Sequence, residues 1–295
     1  MYRSSIFRGS LYFILFTGFF FLFAYWITLE GSGRSAWRSG EKIALIRIEG
    51  MIVDSRSVVK EIRRYRFDPE IKAILVRIDS PGGAVAPSQE IYDELLKIRA
   101  AGEKKLVASM GAVAASGGYY IASAASVIVA NPGTLTGSIG VIMELTNLEG
   151  LFQKIGIESI TIKSGKNKDV GSPFRKIEKE ERALLQNVLD DIHDQFIEAV
   201  ASGRLLDVEV VRKFSDGRVF TGRQAKELGL IDELGNLETA IHLAAELAGI
   251  EGEPQIVETK ERLPFFQLLK GQLPSGWRRF SSSSMSVQMY YLFTH

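Results

Sequence analysis

Cysteine is absent from the 295 residues, so disulfides, thiol nucleophiles and thiolate metal sites are all excluded. Histidine is scarce, with three copies. His193 lies between Asp191 and Asp194 in a helical stretch, His242 lies in an alanine-rich helix, and His295 ends the sequence. None stands in a triad arrangement, which argues against Ser-His-Asp chemistry. An excess of one charge is missing as well. Lysine and arginine number 36 against 35 acids, and no basic tract is interleaved with aromatics. Phosphate neutralisation needs a cationic surplus, so nucleic acid is not an expected partner. The H-E-x-x-H, P-loop and dinucleotide-binding glycine patterns do not occur either, and neither metal nor cofactor is expected.

What is abundant is apolar sequence, 46% of the chain, and it is concentrated at the start. "LYFILFTGFFFLFAYWITL", residues 11–29, holds no charge; as a helix rising ~1.5 Å per residue it would cover the hydrocarbon layer. The run is longer than an ordinary signal-peptide core, and "EGSGRSAW" after it offers no clear small-x-small cleavage site at the proper place. It is read as a retained transmembrane anchor in lipid, preceded by a short segment (1–10) and followed by a Gly/Ser tether (30–40). Arg3 and Arg8 before the span balance Arg34 and Arg38 after it, so charge leaves the orientation open.

From residue 41 the pattern alternates. "KIALIRIEG" (42–50) and "IKAILVRID" (71–79) read as strands around a helical "SVVKEIRRYRFD". "VAPSQEIYDELLKIRAAG" reads as a helix closed by Gly102, "KKLVASM" as a strand, and "AASGGYYIASAAS" as a small-residue helix opening from it. "SVIVANP", "GSIGVIME" and "IESITIKSG" supply further strands. This rhythm predicts an α/β fold with a largely parallel sheet. Three helices follow: "IEKEERALLQNVLDDIHDQFIEAVASGR", with Leu185, Val188, Leu189, Ile192, Phe196 and Val200 on one face; "FTGRQAKELGLID", capped by Thr221 and Gln224; and "NLETAIHLAAELAG". One catalytic domain over 41–260 is the economical reading. The tail, 261–295, is broken by proline and is taken as a loosely docked terminus, the sharper alternative being a segment that occupies a partner's groove.

Ser116, in "AASGGYY", is the candidate nucleophile: a lone hydroxyl among residues with almost no side chain, leaving room for an acyl group. With histidine unsuited, a lysine can take its place as base if it is neutral. A lysine's solution pKa is near ~10.4, so desolvation or nearby dipoles must lower it by several units. "SVVK" (57–60) matches S-x-x-K but lacks the companion motifs of penicillin-recognising enzymes. "KSGKNKD" offers Lys163, Lys166 and Lys168, and pattern alone does not choose among them. For the oxyanion, the glycines of "DSPGG" (79–83) can turn an amide outward, and the amide of Gly117 directly follows the serine.

Taken together, "DSPGG", "AASGGYYIAS", "TGSIGV" (136–141), "KSGKNKD" and "FTGRQAKELGLID" occur in the order and spacing that resemble the signal peptide peptidase A family, in its short form with one catalytic unit. The resemblance covers nearly all of 41–250. It implies a Clp protease/crotonase-like ββα superhelix and a membrane-anchored serine endopeptidase acting on remnant signal peptides and other apolar peptides. In that family's terms Ser116 is the nucleophile, Lys168 the general base, Ser138 the hydroxyl that holds the lysine, and Gly83 and Gly117 the oxyanion hole. It further implies a homo-oligomeric ring, eight subunits in the short form, with the dyad supplied by neighbouring protomers and the protease domain outside the cytoplasm. A carboxylate beside a neutral lysine would raise its pKa, so Asp169 is expected to point away. The alternatives are a crotonase-type acyl-CoA enzyme, which needs no Ser116, and a non-catalytic membrane scaffold of the same fold.

Overall fold

The computed structural model describes residues 17–19, 22, 41–259 and 289–292. The segments expected over 1–10 and 30–40, most of the anchor over 11–29 and most of the tail lie outside these residues; 17–19 and 22 are helical. Among the described residues no helix is long and apolar enough to cross a membrane. The unit that begins at Glu41 carries everything that follows.

Its elements, in chain order, are β1 (Lys42–Glu49), α1 (Arg56–Phe67), β2 (Ile71–Ser80), β3 (Gly82–Ala84), α2 (Val85–Ala101), β4 (Lys105–Ala115), α3 (Gly117–Ala122), β5 (Val127–Ala130), β6 (Leu135–Gly137) and β7 (Ile142–Met143). They continue with α4 (Glu149–Lys154), α5 (Lys179–Arg204), α6 (Val208–Arg212), β8 (Val219–Thr221), α7 (Gly222–Glu227), β9 (Glu233–Leu234), α8 (Leu237–Ala248), β10 (Gln255–Glu258) and β11 (Met289–Leu292). The large sheet runs β10-β1-β2-β4-β5-β9; β6 joins it through β4, and β8 pairs with β6. Every pairing in it is parallel except β6 with β8.

Parallel strands need both faces covered, which is why β1, β2 and β4 read as near-continuous apolar runs. One face packs on α2, α3 and the second half of α5, where Ile91, Leu95, Ile98, Tyr119, Phe196 and Val200 are all buried. The opposite face packs on α8, whose Ala240, Ala244 and Ala245 let the helix lie close to Leu45, Leu75 and Val107. The capping expectations hold: Gly102 closes α2 in the left-handed conformation, and Thr221 and Gln224 form a capping box on α7.

Three expectations are corrected. "AASGGYYIASAAS" is not one helix, because Ala114 and Ala115 still belong to β4 and the chain turns only at Ser116. "GSIGVIME" is broken into β6 and β7, with Ser138 at the break. "IESITIKSG" is no strand: residues 157–163 find no partner edge in the described chain, and Ile160 and Ile162 stand 78% and 96% exposed. The apolar face of α5 is also covered only in part. Ile192, Phe196 and Val200 are buried, whereas Leu184 and Val188 near its start are exposed.

Candidate active site

β2, β4 and β6 are neighbours, and their carboxyl ends stop side by side. Ser80 is in register with Ala114, and Ala115 with Gly137. The residues after that last pair are Ser116 and Ser138. Both turn sharply, with φ of 54° and 50°, and the Ser116 N–H donates to the Gly137 carbonyl at 2.8 Å. A sequence far apart in the chain is thus drawn to the carboxyl edge of a parallel sheet, where α/β folds place their ligands.

Ser116 carries two costs at once. A non-glycine residue in this backbone region is strained by about 1–3 kcal/mol. Its side chain is fully buried, yet the Oγ has no hydrogen-bond partner among the described residues; an unsatisfied buried hydroxyl costs about 1–3 kcal/mol more. The strain follows from the register, since β4 must end and α3 begin within one residue. The tyrosines that follow are structural. Tyr119 is wholly buried and its hydroxyl donates to the Leu230 carbonyl at 2.9 Å, so burial holds the phenol far above its usual pKa. The Tyr120 ring packs 4.7 Å from Tyr92 and 5.0 Å from Phe196.

The "DSPGG" turn sits beside them. The Gly82 N–H donates to Ser80 Oγ at 3.1 Å. Gly83 lies so close to Ile52 that a Cβ there would fall 2.0 Å from its carbonyl oxygen, so no other residue fits without moving backbone. The Gly82 carbonyl accepts from the Ile52 N–H at 2.9 Å and the Ala84 N–H donates to the Ile52 carbonyl at 2.7 Å. Strand alternation then turns the N–H and C=O of Gly83 to the opposite edge. Gly117 is the first residue of α3, so its N–H has no acceptor within the helix.

Lys168 is not brought to Ser116. It is exposed on the loop before α5, and no hydrogen bond or ion pair of its Nζ occurs among the described residues. Lys163 differs: its amine pairs with Asp169 at 2.5 Å. Asp169 also accepts from Arg175 Nε at 2.9 Å, so its two oxygens go to Lys163 and Arg175. Arg175 in turn grips Glu181 at the start of α5. Nothing in the sequence marked this clamp, because its members are joined by geometry rather than by a motif. It ties the loop carrying Lys168 to the long helix.

The clamp makes a prediction about acid. The Arg175 hydrogen bonds, with help from the Glu178 N–H, hold Glu181 down to about 2 from an ordinary 4.5. Arg175 first, and then Lys163, keep Asp169 well below its usual range. A carboxylate with a lowered folded-state pKa stabilises the fold fully above its unfolded value and loses that contribution as pH falls toward the folded value. Thermal melts should therefore drop between pH about 4.5 and 2, and Glu181→Gln should flatten that part of the profile. An unchanged slope in the variant would count against the clamp.

Ser138 lines a cavity of about 500 Å³ together with Val141, Leu189, His193 and Gly217. His193, read from sequence as an ordinary helix residue, reaches this cavity with a buried Nε2 that has no partner among the described residues. His242 is exposed beside Glu238. No group of three or more His, Asp or Glu side chains among the described residues is placed to hold a metal ion.

Comparison with known proteins identifies the family. The profile of peptidase family S49 matches residues 99–251, which include Ser116, Ser138 and Lys168. A Synechocystis sp. protein provisionally named a protease is 47% identical over 75% of this chain and 79% of its own length. Protease 4 of Salmonella typhi is 38% identical over 72% of this chain and 36% of its own length. The chloroplastic serine protease SPPA of Arabidopsis thaliana is 36% identical over 74% of this chain and 35% of its own. The aligned segment thus spans little more than a third of the last two. A strained serine at the edge of a parallel sheet, within a sequence that matches this profile over half its length, makes the chain a member of peptidase family S49, the serine proteases of the signal peptide peptidase SppA type.

Proposed function

We propose that this protein is a membrane-anchored serine endopeptidase that hydrolyses apolar peptides, remnant signal peptides among them, with a Ser116/Lys168 dyad. The observation that carries the reading is Ser116 itself: strained, buried and without a hydrogen bond to its Oγ among the described residues. A hydroxyl kept at such cost suits a role in chemistry, with its proton acceptor supplied by a neighbouring subunit. Lys168 on an exposed loop, flanked by the uncovered Ile160 and Ile162 and by the exposed start of α5, suits delivery to the Ser116 of a neighbouring subunit. The homo-oligomeric ring, its eight subunits and the extracytoplasmic placement of the domain are part of this proposal.

In the reaction the neutral Lys168 amine takes the Ser116 proton as Oγ bonds to the scissile carbonyl carbon. The carbonyl electron pair moves onto oxygen, where the N–H groups of Gly83 and Gly117 stabilise it. Collapse breaks the C–N bond, and the leaving amine takes the proton from the lysine. Water then repeats the sequence on the acyl-enzyme, with the same lysine accepting its proton. Ser138 holds the lysine by a hydrogen bond, which favours the neutral amine in a way a carboxylate would not. No step requires an imidazole.

A fluorophosphonate probe tests the assignment directly. It should attach to Ser116 in the wild-type chain and in His193→Gln, and fail to attach in Ser116→Ala. Loss of labelling in His193→Gln with the fold intact would instead assign the proton transfer to the histidine of the Ser138 cavity.

A further inference from the structure

His193 takes no part in the Ser116/Lys168 chemistry, yet its ring reaches the cavity of about 500 Å³ that Ser138 also lines. It stands on α5 beside the buried strip of Ile192, Phe196 and Val200. Its Nε2 is sealed from solvent and bonded to nothing among the described residues, a condition it shares with Ser116 Oγ. Buried polar atoms are rarely left so, and an apolar side chain would pack there without the cost. Other polar groups of the cavity wall are committed. Asp190 accepts from Gln186 at 2.8 Å, and Asp216 accepts from Arg218 through Nε at 2.7 Å and Nη2 at 2.6 Å. Ser138 is held by its main chain: its N–H donates to the Arg218 carbonyl at 2.8 Å, and next to it the Gly217 N–H donates to the Ile139 carbonyl at 3.1 Å. These two segments make one wall of the cavity, and Leu189 and His193 of α5 make the other. What remains to be fixed is the direction of the Ser138 hydroxyl.

We propose that His193 is the positioning residue of the dyad: its Nε2 accepts a hydrogen bond from the Ser138 hydroxyl, directly or through one water, and so decides how that hydroxyl meets the lysine. The argument is a count of donors and acceptors. A serine hydroxyl has one proton and two lone pairs. A neutral amine that takes the Ser116 proton has to keep its lone pair toward Ser116, so toward Ser138 it can only donate. Ser138 must then accept, and its own proton needs a different acceptor. His193 Nε2 supplies one, in the tautomer that carries the ring proton on Nδ1. Without it the Ser138 hydroxyl can swing round and donate to the amine, which withdraws the lone pair from Ser116. This rests on reading Ser116, Lys168 and Ser138 as the catalytic set.

The test uses the full-length protein and an apolar peptide. His193→Phe should lower kcat by roughly 3- to 15-fold at unchanged KM, the worth of one oriented hydrogen bond felt in the transition state. His193→Gln, whose amide oxygen can accept where Nε2 did, should recover most of that loss. In a Ser138→Ala background His193→Phe should add nothing, because the histidine acts only through that hydroxyl. With isotope-labelled histidine, the nitrogen NMR resonance of His193 Nε2 should move in Ser138→Ala, a readout that needs neither turnover nor a substituted His193. The same fold-loss with and without Ser138, equal losses in the Gln and Phe variants, or an unmoved Nε2 resonance overturns the proposal. A wild-type Ser116 that reacts with no fluorophosphonate overturns the protease reading and this role with it; a reactive Ser116 joined to uncoupled losses removes the role of His193 alone, so the two failures are separable.

Discussion

Ser116→Ala is expected to lower turnover of an apolar peptide by roughly 10⁵- to 10⁶-fold, the usual consequence of deleting a serine nucleophile. The same substitution should leave the melting temperature unchanged or raise it. The Oγ makes no hydrogen bond among the described residues, so its removal forfeits none of theirs and relieves a desolvated hydroxyl. The backbone strain at φ 54° stays, since alanine also carries a Cβ. Collapse of activity joined to equal or greater stability is the signature of a residue retained for chemistry at the expense of the fold. Measured together, the two readouts are decisive. A destabilised variant would mean that the serine is structural, and a stable variant with near-normal turnover would remove Ser116 from the mechanism.

The second large effect concerns Lys168 and its location. Lys168→Ala should reduce kcat by about 10²- to 10⁴-fold, the range for loss of a general base. Neither single variant has a working site. If each site draws its serine from one protomer and its lysine from the next, co-assembling equal amounts of the two dead proteins should make about a quarter of the sites complete, given random placement around a symmetric ring. Activity should return to that level. Sites contained within one chain would stay dead in the mixture, and the exposed position of Lys168 would then need a loop movement to explain it. The loop lysines are not equivalent in this test. Lys163 is paired with Asp169, so its amine is engaged in the clamp. Lys163→Ala should therefore loosen the clamp on Asp169 without abolishing the chemistry.

Ser116, the proposed nucleophile, could be picked out as a candidate because steric demand writes itself into composition: a run such as "AASGG" leaves space around a hydroxyl for a peptide. The strands of the large sheet were legible for a similar reason, as burial on both faces requires unbroken apolar residues. The base was not. Which of Lys163, Lys166 and Lys168 is committed elsewhere depends on where Asp169 and Arg175 end up, and no local pattern encodes that. Residues 157–163 misled for an instructive cause: their β-branched side chains fit a pleated edge, yet strand formation needs a partner, and the described chain supplies none.

The sequence by itself determined the alternating α/β pattern, the exclusion of thiol and metal-thiolate chemistry, and the small-residue settings of Ser116, Gly83 and Ser138, because periodicity, composition and side-chain size act over short stretches. Tertiary structure alone decided that the ends of β2, β4 and β6 meet, that the Ser116 Oγ has no partner among the described residues, and that β11 lies along Gly83. Those outcomes come from register and strand order. They sum hydrogen bonds and packing across the whole sheet, and no single segment carries that sum.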